Sequence, residues 1–361
     1  AVRHNQEHVA ALLLRARHVG SLRGGSRGKG TPQVEPKGSE VGGSEMGWMV
    51  SPDEVRFGSI LHTTLKSVVY DAEWRGVKVV AKKVIRHSQC ESDEPVAKET
   101  LREICLLSSF RHPDLVMFLG ACLFTPQPFF IMEFMDGGDL DFHFAQKASS
   151  RHNRPYRVGM DVLLKWSSAV ARALNYLHSG SPKVVHRDLK PLNLLLTKSL
   201  DLKVADFGIS RLIDSDGDGG EGLQRRMSAG VGSWRYMAPE VVRAEQYTDR
   251  VDIYSFALIM WFMSTGMQPF VDQFGQDAEL VLRDYLKGNE PRPGFGSAGG
   301  LLGGSRGTPA AVRQLVQECW HRRAAARPSA HQCTARLAEA TVHSDHGSWA
   351  ARAGKVVGRL R

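Results

Sequence analysis

The sequence predicts an α+β chain with a small β-rich N-lobe and a larger helical C-lobe. Three observations predict it. Short runs of Val, Tyr, Trp and Phe, broken by turn residues, occupy 55–84 and return in "LVMFLGACLF" and "PFFIMEFM". After the turn signal "DGGDL" the texture becomes helical, with apolar residues on one stripe of "DVLLKWSSAVARALNYLHS" (161–179). No internal repeat is present, and 42% hydrophobic with 24% charged residues is the usage of a globular chain with a substantial core.

The chain opens at Ala1 rather than Met, so a fragment or processed form is expected. Residues 9–18 are amphipathic and contain Arg, a texture shared with targeting signals, but no signal is assigned. "GSLRGGSRGKGTPQVEPKGSEVGGSEMG" (20–47) has no hydrophobic period and reads as a linker. Residues 1–52 are therefore expected to form a flexible segment, with order beginning near Trp48.

Within 55–84 an Arg75-Gly76 turn should join two strands. A helix is expected over 95–110, started by Pro95, with Leu101, Ile104, Cys105 and Leu107 near one face. "VDIYSFALIMWFMSTG" (251–266) is apolar on nearly all sides, yet it is too short for a bilayer and carries Asp252; a buried helix is expected. The Gly-rich segments 214–222 and 294–307 read as loop insertions. "DSDGDG" (214–219) matches the start of a calcium loop, but Arg225 stands where that loop needs a bidentate Glu, so a solvated acidic insertion is the better reading.

The formal charge of +9 comes from scattered basic residues with no stripe of interleaved aromatics, so no nucleic-acid partner is expected. The five cysteines, Cys90, Cys105, Cys122, Cys319 and Cys333, include no CxxC pair and no metal spacing. That usage favours a reducing, cytoplasmic compartment without structural zinc. No apolar run approaches the roughly 20 residues that span a bilayer, so no membrane span is expected.

Three motifs then fall in a fixed order: "HRDLKPLN" at 186–193, "DFG" at 206–208 and "APE" at 238–240, with a strand-borne lysine upstream. Each alone is weak; the ordered set is specific. On these motifs residues 54–338 resemble the eukaryotic protein kinase family. "YDAEWRGVKVVAKKV", "LVMFLGAC", "GSWRYMAPEV" and "ECWHRRAAARPS" are similar to the tyrosine-kinase-like group of Ser/Thr kinases, in its Raf-like and MAP-kinase-kinase-kinase-like branch.

The resemblance implies the two-lobed protein kinase fold: a flexible segment 1–52, an N-lobe and hinge 53–138, a C-lobe 139–340 and a tail 341–361. It also implies Mg²⁺ and ATP as cofactors, protein Ser/Thr hydroxyls as substrates and an upstream activating kinase. Phosphoryl transfer needs positioning and cancellation of phosphate charge more than covalent help. Lys82 would reach the α/β-phosphates and be held by Glu103, while Lys83 points to the opposite face because strand side chains alternate. Asp188 would orient the substrate hydroxyl and accept its proton. Lys190 would neutralise charge on the moving phosphate, and Asn193 and Asp206 would supply oxygen ligands for Mg²⁺.

Val69 and Val80 above and Leu195 below would enclose adenine. Met132 would sit at the back, and Glu133 to Met135 would form the hinge. Ser233 stands where the group usually has Thr, keeping a hydroxyl for Asp188 and Lys190. Asp252 should brace the catalytic loop, and Glu240 should pair with Arg327. Ser228 is the candidate activation-loop phosphosite, paired with Arg187.

One departure stands out. Aligning Val69-Tyr70 with the family's "VY" places the three glycines of the phosphate loop at His62, Thr64 and Ser67, so none is retained. Glycines there let the backbone approach phosphate closely. Two readings follow, an active Ser/Thr kinase with a weakened ATP grip and a pseudokinase acting as a scaffold or allosteric binding module. Retention of all five residues that would meet charge, metal or proton favours the enzyme.

Overall fold

The computed structural model describes residues 48–64, 67–85, 104–123, 125, 127–152, 154–181, 183–207, 211–213, 233–295 and 308–342, with backbone only for 211–213 and 233. These residues divide into two compact units. The first runs to Arg111 and adds Met117–Phe134; the second takes His112–Val116 and the described residues from Met135 on.

The first unit is built on one antiparallel sheet of order β1-β2-β3-β5-β4. Its strands are β1 Val55–Thr63, β2 Ser67–Trp74, β3 Val77–Val84, β4 Phe118–Cys122 and β5 Phe129–Glu133. The turn from β2 to β3 takes positive φ at Arg75 (50°) and Gly76 (78°), the left-handed pair that a tight hairpin twist requires. On one face Val55, Ala72, Val79, Ala81, Phe129 and Ile131 form the core, flanked by Phe57, Tyr70 and Trp74. Phe57 meets Tyr70 and Phe129 edge to face at 5.3 and 5.1 Å. Gly120 is required by close approach, since a Cβ there would stand 2.7 Å from the Trp48 carbonyl oxygen.

The β run expected from Leu115 is shorter than its sequence suggests. Leu115 and Val116 turn instead to Val204 of the second unit's own chain segment, with Val116 N donating to Val204 O at 2.9 Å, and the strand starts at Phe118. Residues 104–109 are helical, and Ile104, Cys105 and Leu107 are buried. The rest of the helix expected over 95–110 and both Gly-rich insertions fall outside the described residues, apart from Gly294 and Phe295.

The second unit is mainly helical. Its helices are α1 Leu140–Ser149, α2 Met160–Ser179, α3 Pro239–Val242, α4 Arg250–Thr265, α5 Val271–Phe274, α6 Glu279–Leu286, α7 Ala310–Cys319 and α8 over 330–342. Two small two-stranded antiparallel sheets accompany them: β6 Lys183–Val185 with β9 Arg211–Ile213, and β7 Leu194–Leu196 with β8 Leu202–Val204. α2 buries the stripe Leu163, Trp166, Val170, Leu174 and Leu177. α4 is buried from Val251 to Thr265, as its uniform apolarity predicts. Each fully buried Ile, Leu or Phe of that helix contributes about 1.5–3 kcal/mol.

Cys105, Cys122, Cys319 and Cys333 are buried as thiols, and burial pushes the Cys105 thiol up to about 11. Small core residues of low reactivity is the reading that fits. Among the described residues no helix is long and apolar enough to cross a membrane.

Candidate active site

In the first unit the sheet register sorts the residues expected to hold the nucleotide. Val69 lies opposite Lys82, which lies opposite Phe130; Val80 lies opposite Met132. Directly paired residues share a face, so Val69, Val80, Lys82 and Met132 line one face of the sheet, away from the Val79–Ala81 core. Lys82 Nζ stands 5.6 Å from the centre of the Phe130 ring. Lys83 points the other way, as strand alternation requires, with Nζ 4.1 Å from the Phe57 ring centre and 5.3 Å from that of Tyr70. Glu103, expected to hold Lys82, lies outside the described residues.

At the end of β5, Glu133 is tied twice to Met117: its backbone N donates to Met117 O at 3.0 Å, and its Oε1 accepts from Met117 N at 2.7 Å. Met135 belongs to the second unit, is buried, and its carbonyl accepts from Gly138 N at 3.2 Å. Leu195 lies in β7 opposite Lys203 and bridges to Asp139.

The turn between β1 and β2 is held by the side chains of Thr64 and Ser67, two of the three positions that align with the family's glycines. Thr64 N donates to Ser67 O at 2.8 Å, and Thr64 Oγ1 accepts from Ser67 N at 3.0 Å. The two hydroxyls are 3.0 Å apart, and Thr64 Oγ1 also donates to Ser67 O at 3.2 Å. Leu65 and Lys66, at the tip, lie outside the described residues.

The second unit brings together most of the residues expected to act on the phosphoryl group. Lys190 Nζ donates to Asp188 Oδ2 at 2.7 Å, with both side chains largely buried. Asn193 Nδ2 donates to the Asp188 carbonyl at 2.7 Å and to Oδ2 at 3.1 Å. This commits the amide nitrogen to Asp188 and leaves Asn193 Oδ1 as the side chain's oxygen donor. Asn193 precedes β7 and Asp206 follows β8, and the Leu194–Val204 pairing brings the two ends together, Ala205 N donating to Asn193 O at 2.8 Å. Asp206 is exposed, with φ 61°. An amide oxygen and a carboxylate are donors that suit a hard cation such as Mg²⁺.

Further buried and half-buried residues hold this loop. His186, fully buried, accepts from Asp188 N at Nδ1 (3.3 Å), so its Nε2 carries the proton and donates to Ala205 O at 3.0 Å. Asp252 of α4 accepts from His186 N and Arg187 N, each at 2.8 Å, and from His178 Nε2 at 2.8 Å. Burial works to raise the Asp252 carboxyl, but the hydrogen bonds from His178 and the Arg187 amide outweigh it and hold the group below its ordinary range. The brace expected of Asp252 is therefore present. His178 and Tyr247, whose hydroxyl accepts from Arg187 Nη1 at 3.0 Å, carried no motif signal and were not foreseen.

Glu240 and Arg327 form the expected pair, with Nη1–Oε1 at 2.5 Å and Nη2–Oε2 at 3.0 Å, both largely buried. Ser233 opens a 3-10 turn, Ser233–Tyr236, but its side chain is outside what is described, as is all of Ser228.

Comparison with known proteins follows the same lines. The family model described as "Protein kinase domain" matches residues 66–337. Serine/threonine-protein kinase VIK of Arabidopsis thaliana is 32% identical over 305 residues, covering 83% of this chain and 64% of that protein. Serine/threonine-protein kinase 12 of Arabidopsis thaliana is 31% identical over 299 residues, covering 82% of this chain and 59% of that protein. A Dictyostelium discoideum relative is 32% identical over 281 residues, of which this chain spans 27% of the length. The chain thus spans less than two thirds of each of these relatives.

Proposed function

Because this chain belongs to the protein kinase domain family, we propose that it is a serine/threonine kinase that moves the γ-phosphoryl group of ATP to protein hydroxyls. The observation that carries the reading is the Asp188, Lys190 and Asn193 cluster, closed by bonds of 2.7–3.1 Å. The names of the Arabidopsis thaliana relatives support the Ser/Thr choice. "EWRG", "GSWRYMAPEV" and "ECWHRRAAARPS" support the tyrosine-kinase-like, Raf-like placement.

Mg-ATP supplies the phosphoryl group and the charge that must be balanced. Lys82 holds the α/β-phosphates, assisted by Glu103; Val69, Val80, Met132 and Leu195 contact adenine, and Glu133 to Met135 hydrogen-bond its edge. Asn193 and Asp206 would hold Mg²⁺ through their side-chain oxygens. Asp188 orients the substrate hydroxyl and takes its proton, and Lys190, already 2.7 Å from Asp188, balances charge on the transferring group. Ser233 steadies both. In this reading 53–138 is the N-lobe with hinge and 139–340 the C-lobe, an upstream kinase acts at Ser228, and the buried thiols suit a reducing cytoplasm.

The test is transfer of labelled γ-phosphate from Mg-ATP to dephosphorylated casein, beside Lys82→Met and Asp188→Asn. Activity well above both variants supports the kinase. Activity equal to theirs sinks it, and an ATP-dependent rise in melting temperature would then mark a nucleotide-binding pseudokinase.

A further inference from the structure

A second polar network in the helical unit shares no residue with the Asp188 cluster. Tyr236 closes the 3-10 turn Ser233–Tyr236, and its buried hydroxyl donates to Gln268 Oε1 at 2.9 Å. Gln268 Nε2 donates in turn to Asp141 Oδ1 at 2.6 Å, in the first turn of α1. The orientation of the amide follows from the carboxylate. A flipped Gln268 would set its oxygen against Asp141, so the amide nitrogen faces the carboxylate and the oxygen is left to accept from Tyr236.

The residue before Tyr236 is fastened to the same stretch. The buried Arg235 donates from Nη1 to Pro269 O at 2.8 Å and from Nη2 to Gly275 O at 2.9 Å. From the other side, Ser255 Oγ of α4 donates to Tyr236 O at 2.7 Å. The turn that carries Ser233 is thereby pinned at three points, and only the Gln268 bridge reaches on to α1.

We propose that Gln268 is a positioning residue for the polypeptide substrate, tying the Ser233–Tyr236 turn to Asp141 so that this side of the site keeps its shape when a protein chain docks. The proposal rests on the kinase reading, in which Ser233 lies beside the accepting hydroxyl. Partial burial and then the Asp139 charge raise the half-buried Asp141 carboxyl above its ordinary value, and the Gln268 bond offsets them only in part.

The chemistry allows a donor–acceptor exchange as the test, on the full chain. Gln268→Leu removes both bonds, and Gln268→Glu sets two carboxylates together. The pair Asp141→Asn with Gln268→Glu rebuilds the bridge with the donor on the other side. Steady-state kinetics should show the KM for dephosphorylated casein about tenfold higher in Gln268→Leu and Gln268→Glu, with the KM for ATP within about twofold. The double variant should recover to within about threefold of wild type. A casein KM unchanged in Gln268→Glu, or no recovery in the double variant, overturns the proposal.

Hydrogen exchange of amides 234–238 reads the tether without catalysis and should quicken in Gln268→Leu. If the wild type transfers no phosphate above Asp188→Asn, the kinase reading fails and substrate positioning with it. Exchange then decides the tether alone, and unchanged protection would remove that too.

Discussion

The Asp252 carboxylate accepts the backbone amide of Arg187 at 2.8 Å, and Arg187 is held there with φ 68°. A non-glycine residue at positive φ costs energy, and the buried carboxylate offsets that cost by satisfying two successive amides of the loop at once. The strained residue directly precedes Asp188, so the brace on α4 sets where the candidate base points.

Replacing Asp252 by Asn should therefore affect both stability and rate. An amide oxygen cannot accept from His178, His186 and Arg187 together, and about 3 kcal/mol of stability should be lost. Because Asp188 is displaced rather than removed, kcat should fall by at least about tenfold with a smaller change in the KM for ATP. Denaturant melts and steady-state kinetics read the two effects. A variant of wild-type stability and rate would show that the brace is dispensable.

The same carboxylate gives an acid dependence with a defined sign. Its pKa is lowered in the fold from 3.8, so its stabilisation is present above 3.8 and lost as pH falls through the lower folded value. Asp252→Asn should flatten the stability profile below about pH 4 relative to wild type. Midpoints of urea unfolding between pH 3 and 6 check this.

Arg327 serves Glu240, His321 and Arg250 together. It donates from Nε to His321 O at 2.9 Å and from Nη1 to Arg250 O at 3.0 Å, and its guanidinium lies 5.0 Å from the Tyr254 ring centre. Arg327→Ala should cost about 3–5 kcal/mol by stranding the buried Glu240 carboxylate. Arg327→Lys should recover little, because one ammonium cannot reproduce the fork. Equal stability of the Lys variant and wild type would contradict this account.

The β1–β2 turn makes a separate prediction. Thr64→Val keeps the shape of the side chain but removes its bonds to Ser67, and should cost the first unit about 1 kcal/mol. If the hydroxyl organises the turn that covers phosphate, the KM for ATP should rise about threefold with the casein KM unchanged. An unaltered KM for ATP would separate the turn from nucleotide binding.

How much of this was legible beforehand depends on the distance between partners along the chain. Strands β2 and β3, helices α2 and α4, and the cluster of Asp188, Lys190 and Asn193 follow from periods and motifs that repeat within a few residues. Local sterics and alternation are sufficient for those. Period 2 also placed Lys82 and Lys83 on opposite faces, but which lysine faces the aromatic core was decided by register with β5, where Lys82 meets Phe130 and Lys83 meets Phe129.

The sequence by itself determined the α+β organisation and the family, and it nominated the residues proposed to carry the chemistry. Its resemblance to a family also anticipated Asp252 and the Glu240–Arg327 pair. Only the tertiary structure decided that Gln268 bridges Tyr236 to Asp141, which lies 127 positions from Gln268, and that His178 reaches Asp252. The reason is physical: a hydrogen bond between distant segments leaves no period in either, and becomes visible only when packing has brought donor and acceptor within 3 Å.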